Sequence, residues 1–396
     1  MPQSPRHPPS PRRRRNPRRR THAAILGGVI VLLLIIAIAT SNDGDSSSVV
    51  PVTNPTTTVL TTPTDTTGTT SLQPARPGTS PVSVAAVGDT MMGTPEFGLP
   101  PDDGATLFSA VTPLLTGDVV MGNLEGTLAS GASSKCAGAT TGTCFAFATP
   151  PAYANTLKAA GFTMMSLANN HAMDLGSDGM ASTVTALSRA GIRATGRPGE
   201  ITLQDVGSTT VAAVGFAPYD WAQDAQDIPA ARALVRRAAT QAPVVIAYMH
   251  VGAEGVDHRH VPTGAEDFLG EPRGDARALA HALVDAGADL VVGSGPHVLR
   301  GMEFRNGRLI AYSMGNFVGY RAFAVTGASG VSGVLQVHLD PDGRFRSGRI
   351  APVMLNGDGV PSPGGSGTTD VATLSSTDFG SSAARVSSDG TIAPPT

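Results

Sequence analysis

The sequence predicts one α/β domain over residues 82–356, behind a hydrophobic helix and a linker and ahead of an unfolded tail. Short apolar runs alternate with longer amphipathic segments, which is typical of an α/β fold. Three amphipathic segments end in Ala-Gly, and Gly161, Gly191 and Gly287 would supply the left-handed residue at a helix C-terminus. Polar residues follow several apolar runs, at the sheet edge where open α/β folds usually carry their site.

The N-terminal segment predicts a membrane anchor. Eight Arg and no acidic residue lie in residues 1–22, and Ala23–Thr40 is uncharged and almost wholly apolar. A helix of about 18 residues is just long enough to cross the core of a bilayer. Arg residues before a first hydrophobic helix favour a cytoplasmic N-terminus, so we expect an extracytoplasmic domain on a single-pass anchor. A cleaved signal peptide and a secreted domain are the alternative, because Ala37-Ile38-Ala39 resembles a cleavage site.

The charge of the exported part argues against nucleic acid as a partner. The chain has 28 Lys and Arg in all, and eight of them are the N-terminal Arg, so 20 basic residues face 31 acidic ones beyond residue 22. A net acidic domain repels polyanions and is better suited to binding cations. We therefore expect a membrane-associated protein that binds no nucleic acid.

Two segments are predicted to stay unfolded. Residues 41–81 are rich in Ser, Thr and Pro, with too few apolar side chains to pack, and would form a linker between membrane and domain. Residues 357–396 share this bias and are predicted to be a disordered tail. Cys136 and Cys144 lie in the exported part, where a disulfide closing a small loop is the simplest interpretation and two free thiols the alternative.

Eight apolar runs are predicted strands and five amphipathic segments are predicted helices. The strands are Val82–Val87, Asp118–Gly122, Phe162–Leu167, Thr209–Phe216, Val244–Met249, Asp289–Val292, Leu309–Ser313 and Val334–Leu339. The helices are Ala105–Leu115, Pro151–Ala160, Asp178–Ala190, Pro229–Ala239 and Asp275–Ala286.

Carboxylate, amide and imidazole side chains follow these strands and form the candidate site. They are Asp89, Glu125, Asn170 and His171 with Asp174 after them, His250 with Glu254 after it, and His297. Hard oxygen donors and neutral imidazoles suit Mn, Zn or Fe in a hydrolytic site. Each residue alone has a plainer interpretation as a turn, a buried histidine or a surface carboxylate.

The order of six motifs makes the candidate site more specific. They read GDTMMG, GNLEGTL, LANNHAMDLG, HVGAE, GPHVLRGME and YSMGNFV. This set resembles the CapA poly-γ-glutamate capsule-synthesis family, a branch of the calcineurin-like metallophosphoesterase superfamily, over about Val84 to Val318. The resemblance implies a four-layer α/β/β/α sandwich with a two-metal phosphoesterase site at the strand ends.

The resemblance also implies roles for the candidate residues. Asp89 and Glu125 match a metal ligand and a bridging carboxylate, and His250 and His297 match two further ligands. Asn170 matches a ligand of the second metal, and His171 matches the acid that protonates the leaving group. Glu254, Glu303 and Asn316 match residues typical of the family and are expected to line the site. Asp174 and Glu254 are further candidate catalytic residues.

Three positions depart from the family pattern. Met91 replaces the His of an Asp-x-His motif, Gly295 replaces the first His of His-Pro-His, and Val251 replaces a Trp. Without the two missing His residues, each metal of the implied pair would keep about three protein donors, as in catalytic sites with an open position. The sequence therefore predicts one or two bound divalent metal ions. His258 and His260 are candidate replacements, or else belong to an exposed loop.

Three functions follow. The resemblance implies a cell-envelope protein that takes part in making or exporting an anionic polymer such as poly-γ-glutamate, with membrane-bound polymer synthase subunits as partners. A metal-dependent phosphoesterase acting on an extracellular or lipid-linked phosphate is the second. Because Met91 and Gly295 weaken the ligand set, a metal-poor binding module is the third. The sequence lacks a serine nucleophile elbow, a Walker loop and a dinucleotide-binding glycine pattern.

Overall fold

Two mixed β-sheets are the central feature of the chain, for which a computed structural model describes residues 75–140 and 144–396. The predicted cytoplasmic tail, the predicted span Ala23–Thr40 and most of the linker lie outside the described residues. Within them, no helix has the length and apolar character needed to span a bilayer.

The described residues form 21 β-strands and five α-helices in chain order. The strands are β1 Val82–Met91, β2 Val119–Leu124, β3 Thr127–Leu128, β4 Ala148–Thr149, β5 Met164–Ser166, β6 Arg193–Thr195, β7 Thr202–Val206, β8 Thr209–Ala217, β9 Gln223–Asp224, β10 Val244–His250, β11 Glu266–Phe268, β12 Glu271–Gly274, β13 Leu290–Ser294, β14 Met302–Arg305, β15 Arg308–Ala311, β16 Asn316–Gly319, β17 Val331–Leu339, β18 Phe345–Leu355, β19 Pro361–Pro363, β20 Arg385–Val386 and β21 Thr391–Ala393. The α-helices are α1 Tyr153–Ala160, α2 Gly176–Arg189, α3 Ile228–Gln241, α4 Ala276–Ala286 and α5 Gly367–Phe379.

The first sheet has the order β20-β21-β18-β17-β1-β2-β5-β6, with β16 beside β1 and β19 beside β18. The second has the order β14-β15-β13-β10-β8-β7, with β9 beside β8. The strands β1, β2 and β5 run parallel in the first sheet, as do β8, β10, β13 and β15 in the second. Parallel strands bring their carboxyl ends to one edge, so residues distant in sequence meet there.

Three apolar cores define the layers. Val84 and Met121 of the first sheet share a core with Ile246 and Val292 of the second, which places the sheets face to face. On the outer surface of the first sheet, α1 and α2 contribute Leu157 and Leu187. On the outer surface of the second, α3 and α4 contribute Leu234 and Leu283. The layer order is therefore helices, sheet, sheet, helices.

Most predicted elements are confirmed. Each of the eight predicted strands overlaps an observed one, and four of the five predicted helices are α1 to α4. Gly161 and Gly287 end α1 and α4 in the left-handed conformation, with φ of 108° and 116°. Gly191 lies one residue beyond the cap of α2 and also has a positive φ, 72°.

The predicted helix Ala105–Leu115 is wrong. The segment forms successive turns with bonds from Leu107 N to Gly104 O and from Val111 N to Phe108 O, then a 3-10 helix at Thr112–Leu114. Pro113 lacks an amide hydrogen and disfavours the α conformation in the residue before it, so a regular helix cannot run through this stretch.

The predicted disordered tail is also wrong, since residues 357–396 contain β19, α5, β20 and β21. The antiparallel pairs β18–β19 and β18–β21 attach this segment to the first sheet. Its few apolar side chains, among them Val371, Leu374 and Ile392, are nearly all buried. The Gly, Ser and Thr content concealed a segment that is ordered by tertiary packing rather than by its own propensity.

The predicted disulfide is confirmed. Cys136 and Cys144 are bonded, which closes a small loop between β3 and β4. Residues 141–143 inside this loop lie outside the described residues.

Candidate metal centre

The carboxyl ends of β1, β2 and β10 bring together the first three predicted ligands. Asp89 lies in β1 and pairs in register with Asn123 of the neighbouring strand β2. Glu125 follows Asn123 by two residues, directly after the end of β2. His250 is the last residue of β10 and pairs with Ser294 of β13. Asp89, Glu125 and His250 each place one ligand atom so that the three atoms lie within 4.8 Å of one another, and all three residues are buried.

His297 joins this group from the loop after β13. Its Nδ1 lies 3.2 Å from Asp89 Oδ2, and its Nε2 lies 3.6 Å from Glu125 Oε1. The backbone of His297 has a φ of 58°, a costly conformation for a residue with a side chain. Its Nδ1 also lies 2.8 Å from Asn316 Oδ1, which helps to orient the ring.

The donor set fits a divalent cation. Both carboxylate oxygens of Glu125 and the Nε2 of His250 are buried without a hydrogen-bond partner. An unpaired buried carboxylate costs several kcal/mol or more, so such atoms are normally bonded or coordinate a metal. One amide side chain orients the ligands, because Asn123 Nδ2 donates to Asp89 Oδ1 at 2.9 Å and lies 3.1 Å from His250 Nδ1.

The pKa values show how strongly the carboxylates and imidazoles act on each other. Burial raises the pKa of Glu125 well above its usual value, more than His297 lowers it. Burial also acts to raise the pKa of Asp89, but hydrogen bonds and charge from His250 and His297 hold it well below the ordinary value. Burial lowers the pKa of His250, whereas Glu125 and Asp89 outweigh burial at His297 and raise its pKa to about 10.

His171 and Asp174 form a second polar group at the N-terminal side of α2. His171 Nδ1 lies 2.7 Å from Asp174 Oδ2, and Asp174 Oδ1 forms an ion pair with Lys135 Nζ at 2.6 Å. Phe147 stacks on the His171 ring at 4.2 Å. Burial lowers the pKa of His171, partly offset by Asp174. Asp174 is fully buried, so the structure places it as a positioning partner of His171 rather than in the cleft.

A cleft of about 540 Å³ opens above these groups, and its polar lining includes Lys135, Asn170, His171, Glu254, His297 and Asn316. Asn170 Oδ1 is buried and has no hydrogen-bond partner, like the oxygens of Glu125. Glu254 Oε2 lies 3.8 Å from His297 Nε2. All eight predicted site residues thus belong to the donor group, to the cleft lining or to the pair behind it.

A comparison with known proteins identifies the family. The model of the bacterial capsule synthesis protein family PGA_cap matches residues 83–321, more than half of the chain.

The chain belongs to the PGA_cap family.

Two relatives of this PGA_cap chain are named CapA. PGA biosynthesis protein CapA of Bacillus subtilis is 30% identical over 301 residues, which are 71% of this chain and 73% of the relative. Capsule biosynthesis protein CapA of Bacillus anthracis is 31% identical over 208 residues, 47% of this chain and 46% of the relative. Among solved structures, the NAD nucleotidase of Haemophilus influenzae is similar at 14% identity and a TM-score of 0.39, covering 75% of this chain and 63% of that one.

Other residues singled out from the sequence of this PGA_cap protein lie away from the donor group. His260 pairs with Asp378 at 2.7 Å, and His258 packs against Phe268, so neither replaces a missing ligand. Glu303 does not line the site: its carboxylate contacts His281, Tyr312 and Ser382 in a separate buried cluster.

The positions that depart from the family pattern have local explanations. Met91 is buried, and its sulfur accepts a hydrogen bond from Gly93 N. Gly295 has a φ of 105° and donates its N–H to Asp89 Oδ2 at 3.1 Å. A Cβ at residue 295 would lie 3.2 Å from the His250 ring, so this backbone favours glycine.

Sequence reasoning missed three residues of the PGA_cap site. Asn123 lies inside the GNLEGTL motif, two residues before Glu125, but its contacts with Asp89 and His250 depend on the tertiary structure. Asn169 donates to Asn123 Oδ1 and to the Leu124 carbonyl and precedes Asn170 in another motif. Arg273 is fully buried and donates to Glu254 Oε1 at 2.8 Å, but no sequence pattern marked it.

Proposed function

We propose that this PGA_cap protein takes part in making or exporting an anionic polymer of the poly-γ-glutamate type at the cell envelope. Family membership and the CapA relatives support this role. The proposal includes an extracytoplasmic domain held by the predicted anchor Ala23–Thr40, with polymer synthase subunits in the membrane as partners and no nucleic acid. The Arg residues ahead of Ala23–Thr40 and the disulfide support the extracytoplasmic location.

We propose further that the domain is calcineurin-like and binds one or two divalent metal ions, Mn, Zn or Fe. The observation that carries this is the buried group Asp89, Glu125 and His250, in which the Glu125 carboxylate lacks any hydrogen-bond partner. These residues, with His297 and Asn170, would hold the metal. A bound cation would polarise a phosphoryl or carbonyl oxygen as a Lewis acid.

The chain's own residues supply orientation and a proton. Asp174 holds His171 through its Nδ1 and is itself held by Lys135, which leaves His171 Nε2 to transfer a proton to a leaving group. Arg273 holds one oxygen of Glu254, so that the other remains near His297 Nε2. Buried Asn123 orients Asp89 and His250 on the opposite side.

The test uses the full-length chain in its own cells. Asp89→Asn and His250→Ala are expected to lower bound metal in the purified protein, measured by elemental analysis, and to lower envelope polymer, measured by extraction and quantification. Asp358→Asn removes an exposed carboxylate on a loop and should change neither. Unchanged metal and polymer in both site variants would contradict the proposal.

A metal-dependent phosphoesterase of the envelope is the second candidate, favoured by the buried His171–Asp174 pair. This alternative predicts that the purified full-length chain hydrolyses phosphoesters and that His171→Gln lowers the rate while bound metal stays the same. A third candidate, a metal-poor binding module, follows from Met91 and Gly295. It predicts no bound metal and no effect of a chelator on thermal stability.

A further inference from the structure

Exposed apolar side chains concentrate at the mouth of the cleft. Five large apolar residues are exposed within the described part of the chain. Phe145, 46% exposed, and Leu269, 92% exposed, both line the cleft, and exposed Val256 follows the lining residue Gly255. The other two, Leu203 and Met354, are absent from the lining. Apolar groups gathered at one opening are typical of a surface that binds a ligand, a membrane or a partner.

Leu269 occupies a turn that ordinarily takes a different residue. It is the first of two residues joining β11 to β12, since Phe268 pairs with Glu271 across the turn. Leu269 and Gly270 have φ values of 54° and 82°, the arrangement for which Asn-Gly is the usual choice. A leucine in this conformation is strained, and at 92% exposure it recovers nothing by packing.

The hairpin that carries Leu269 is firmly attached beside the donor group. The carboxylate of Glu266 in β11 accepts hydrogen bonds from both Nη1 and Nη2 of buried Arg300, at 2.9 and 2.6 Å. Arg300 also donates to the carbonyl oxygens of His258 and Ala253. Bidentate buried pairs of this kind define geometry closely. The start of the hairpin is therefore fixed relative to the cleft.

The deep end of the same cleft is polar. His171 and His297 have side chains only 10% and 15% exposed, in contrast to Leu269 and Phe145 at the mouth. The walls between the two ends are aromatic: Phe323 packs on the His297 ring at 4.7 Å and on Phe147 at 5.5 Å. An occupant that fills the cleft meets a cation site and imidazoles at one end and apolar side chains at the other.

We infer that the cleft binds one amphiphilic anion at a time, with an oxyanion head group at the donor group and an aliphatic chain along Phe323, Phe268, Phe145 and Leu269. The inference rests on the proposed metal site and deepens it by naming the substrate class, a lipid-linked oxyanion. A purely polar polyanion would leave the apolar mouth uncovered. The volume of about 540 Å³ lies within the range of small-molecule sites.

The test measures binding of an alkyl phosphate series to the Mn²⁺-loaded full-length chain in nanodiscs, by calorimetry, with empty nanodiscs subtracted. Methyl, butyl and hexyl phosphate differ only in the chain, and each buried methylene adds to the affinity. Hexyl phosphate is expected to bind at least about tenfold more tightly than methyl phosphate. Hexanoate, compared with hexyl phosphate, tells whether the head group is a carboxylate or a phosphate.

Exposed positions supply the variants. Leu269→Asn and Phe145→Ser should abolish the preference for hexyl phosphate and leave methyl phosphate affinity unchanged. Leu203→Asn, which removes an exposed leucine elsewhere, should keep the preference. Equal affinity for all three phosphates, the same preference in Leu269→Asn as in the parent chain, or its loss in Leu203→Asn would overturn the inference.

Failure of this inference can be distinguished from failure of the proposed metal site. The protein could hold metal through Asp89 and His250 and bind methyl phosphate without any preference for longer chains. That result would overturn only the inference that the ligand is amphiphilic. Loss of bound metal is scored independently by elemental analysis. A chain that binds metal but none of the phosphates would also overturn this inference and leave the metal site standing.

Discussion

At the scale of single residues, buried carboxylates in this chain fall into two kinds. Glu303 is satisfied by His281, Tyr312 and Ser382, each at 2.6 Å. Glu125 is as deeply buried and has no such partner. The first kind stabilises the fold through charge-assisted hydrogen bonds. The second kind costs stability unless a bound cation satisfies it, so Glu125 is the position at which the proposed metal site is tested most directly.

Replacing Glu125 by Gln therefore tests the metal centre directly. In the parent chain, Mn²⁺ or Zn²⁺ should raise the thermal midpoint, since a ligand that binds only the folded state stabilises it. In Glu125→Gln the metal-free midpoint should equal or exceed that of the parent, and the cation should raise it far less. Differential scanning fluorimetry with and without chelator measures both effects.

Glu271→Gln is the matched control, because Glu271 lines the same cleft but is 46% exposed and lies beside Arg273. It should respond to the cation as the parent does. An equal cation effect in Glu125→Gln would show that Glu125 does not contribute to binding.

Asp289, which lies away from the candidate metal centre, should make the stability of the fold depend on pH. Burial raises its pKa from 3.8 to about 7, although the amide of Val245 and the charge of Arg308 oppose the shift. A folded-state pKa above the unfolded value means that the folded chain binds the proton more tightly. Stability from this residue is therefore highest near pH 4, falls as the pH rises towards 7 and is level above that.

Asp289→Asn should remove the part of the pH-dependent stability that comes from this carboxyl group. Urea unfolding at pH 5 and pH 8 is expected to show a smaller loss of stability with rising pH in the variant than in the parent. Asp205→Asn, an exposed site on β7, should keep the parental difference. An unchanged pH difference in Asp289→Asn would contradict the raised pKa.

At the scale of elements, patterns that depend on neighbours in sequence were reliable. Apolar runs located β1, β8 and β10, and the Ala-Gly pairs located the ends of α1 and α4, because strand burial and left-handed caps are local requirements. The stretch Ala105–Leu115 showed the limit of this reasoning. Its apolar side chains are buried as a helix would bury them, but the backbone forms turns, and Pro113 excludes a regular helix across the end of the stretch.

Helix α5 shows the opposite error, since its residues have low helix propensity and yet form a helix. Phe379 at its end stacks on Tyr312 at 5.0 Å, and the guanidinium of Arg277 lies 4.8 Å from its ring. Phe379→Ala should therefore lower the free energy of unfolding by about 3 kcal/mol through lost packing. Urea denaturation measures the loss.

Thr377→Ala changes an exposed position of the same helix and should alter the free energy of unfolding by less than about 0.5 kcal/mol. Equal effects of the two substitutions would show that α5 is not held by the Phe379 contacts.

At the scale of the whole molecule, the C-terminal segment completes the first sheet. Ile392 of β21 and Val371 of α5 belong to the core between the two sheets. Met302 N donates to Ser375 Oγ, and Ala384 N donates to the Met302 carbonyl, so the segment also joins the second sheet. A core shared in this way unfolds cooperatively.

A chain ending at residue 356 tests that expectation. We expect it to lose the cooperative unfolding transition or to unfold at much lower urea concentration, followed by circular dichroism. The parent chain ending at Thr396 is the reference. Equal midpoints would mean that residues 357–396 add nothing to the stability of the domain.

The sequence by itself determined the α/β class, eight strands, four helices, the disulfide pair and the family, because periodicity, glycine caps and motifs are written in consecutive residues. It also indicated Asp89, Glu125, His250 and His297 as one group. Only the tertiary structure decided that residues 357–396 fold, that Arg273 and Asn123 support the ligands, and that Phe145 and Leu269 meet at one cleft. Those facts depend on contacts between residues far apart in the chain, and side chains that pack only through such contacts leave no local periodicity to read.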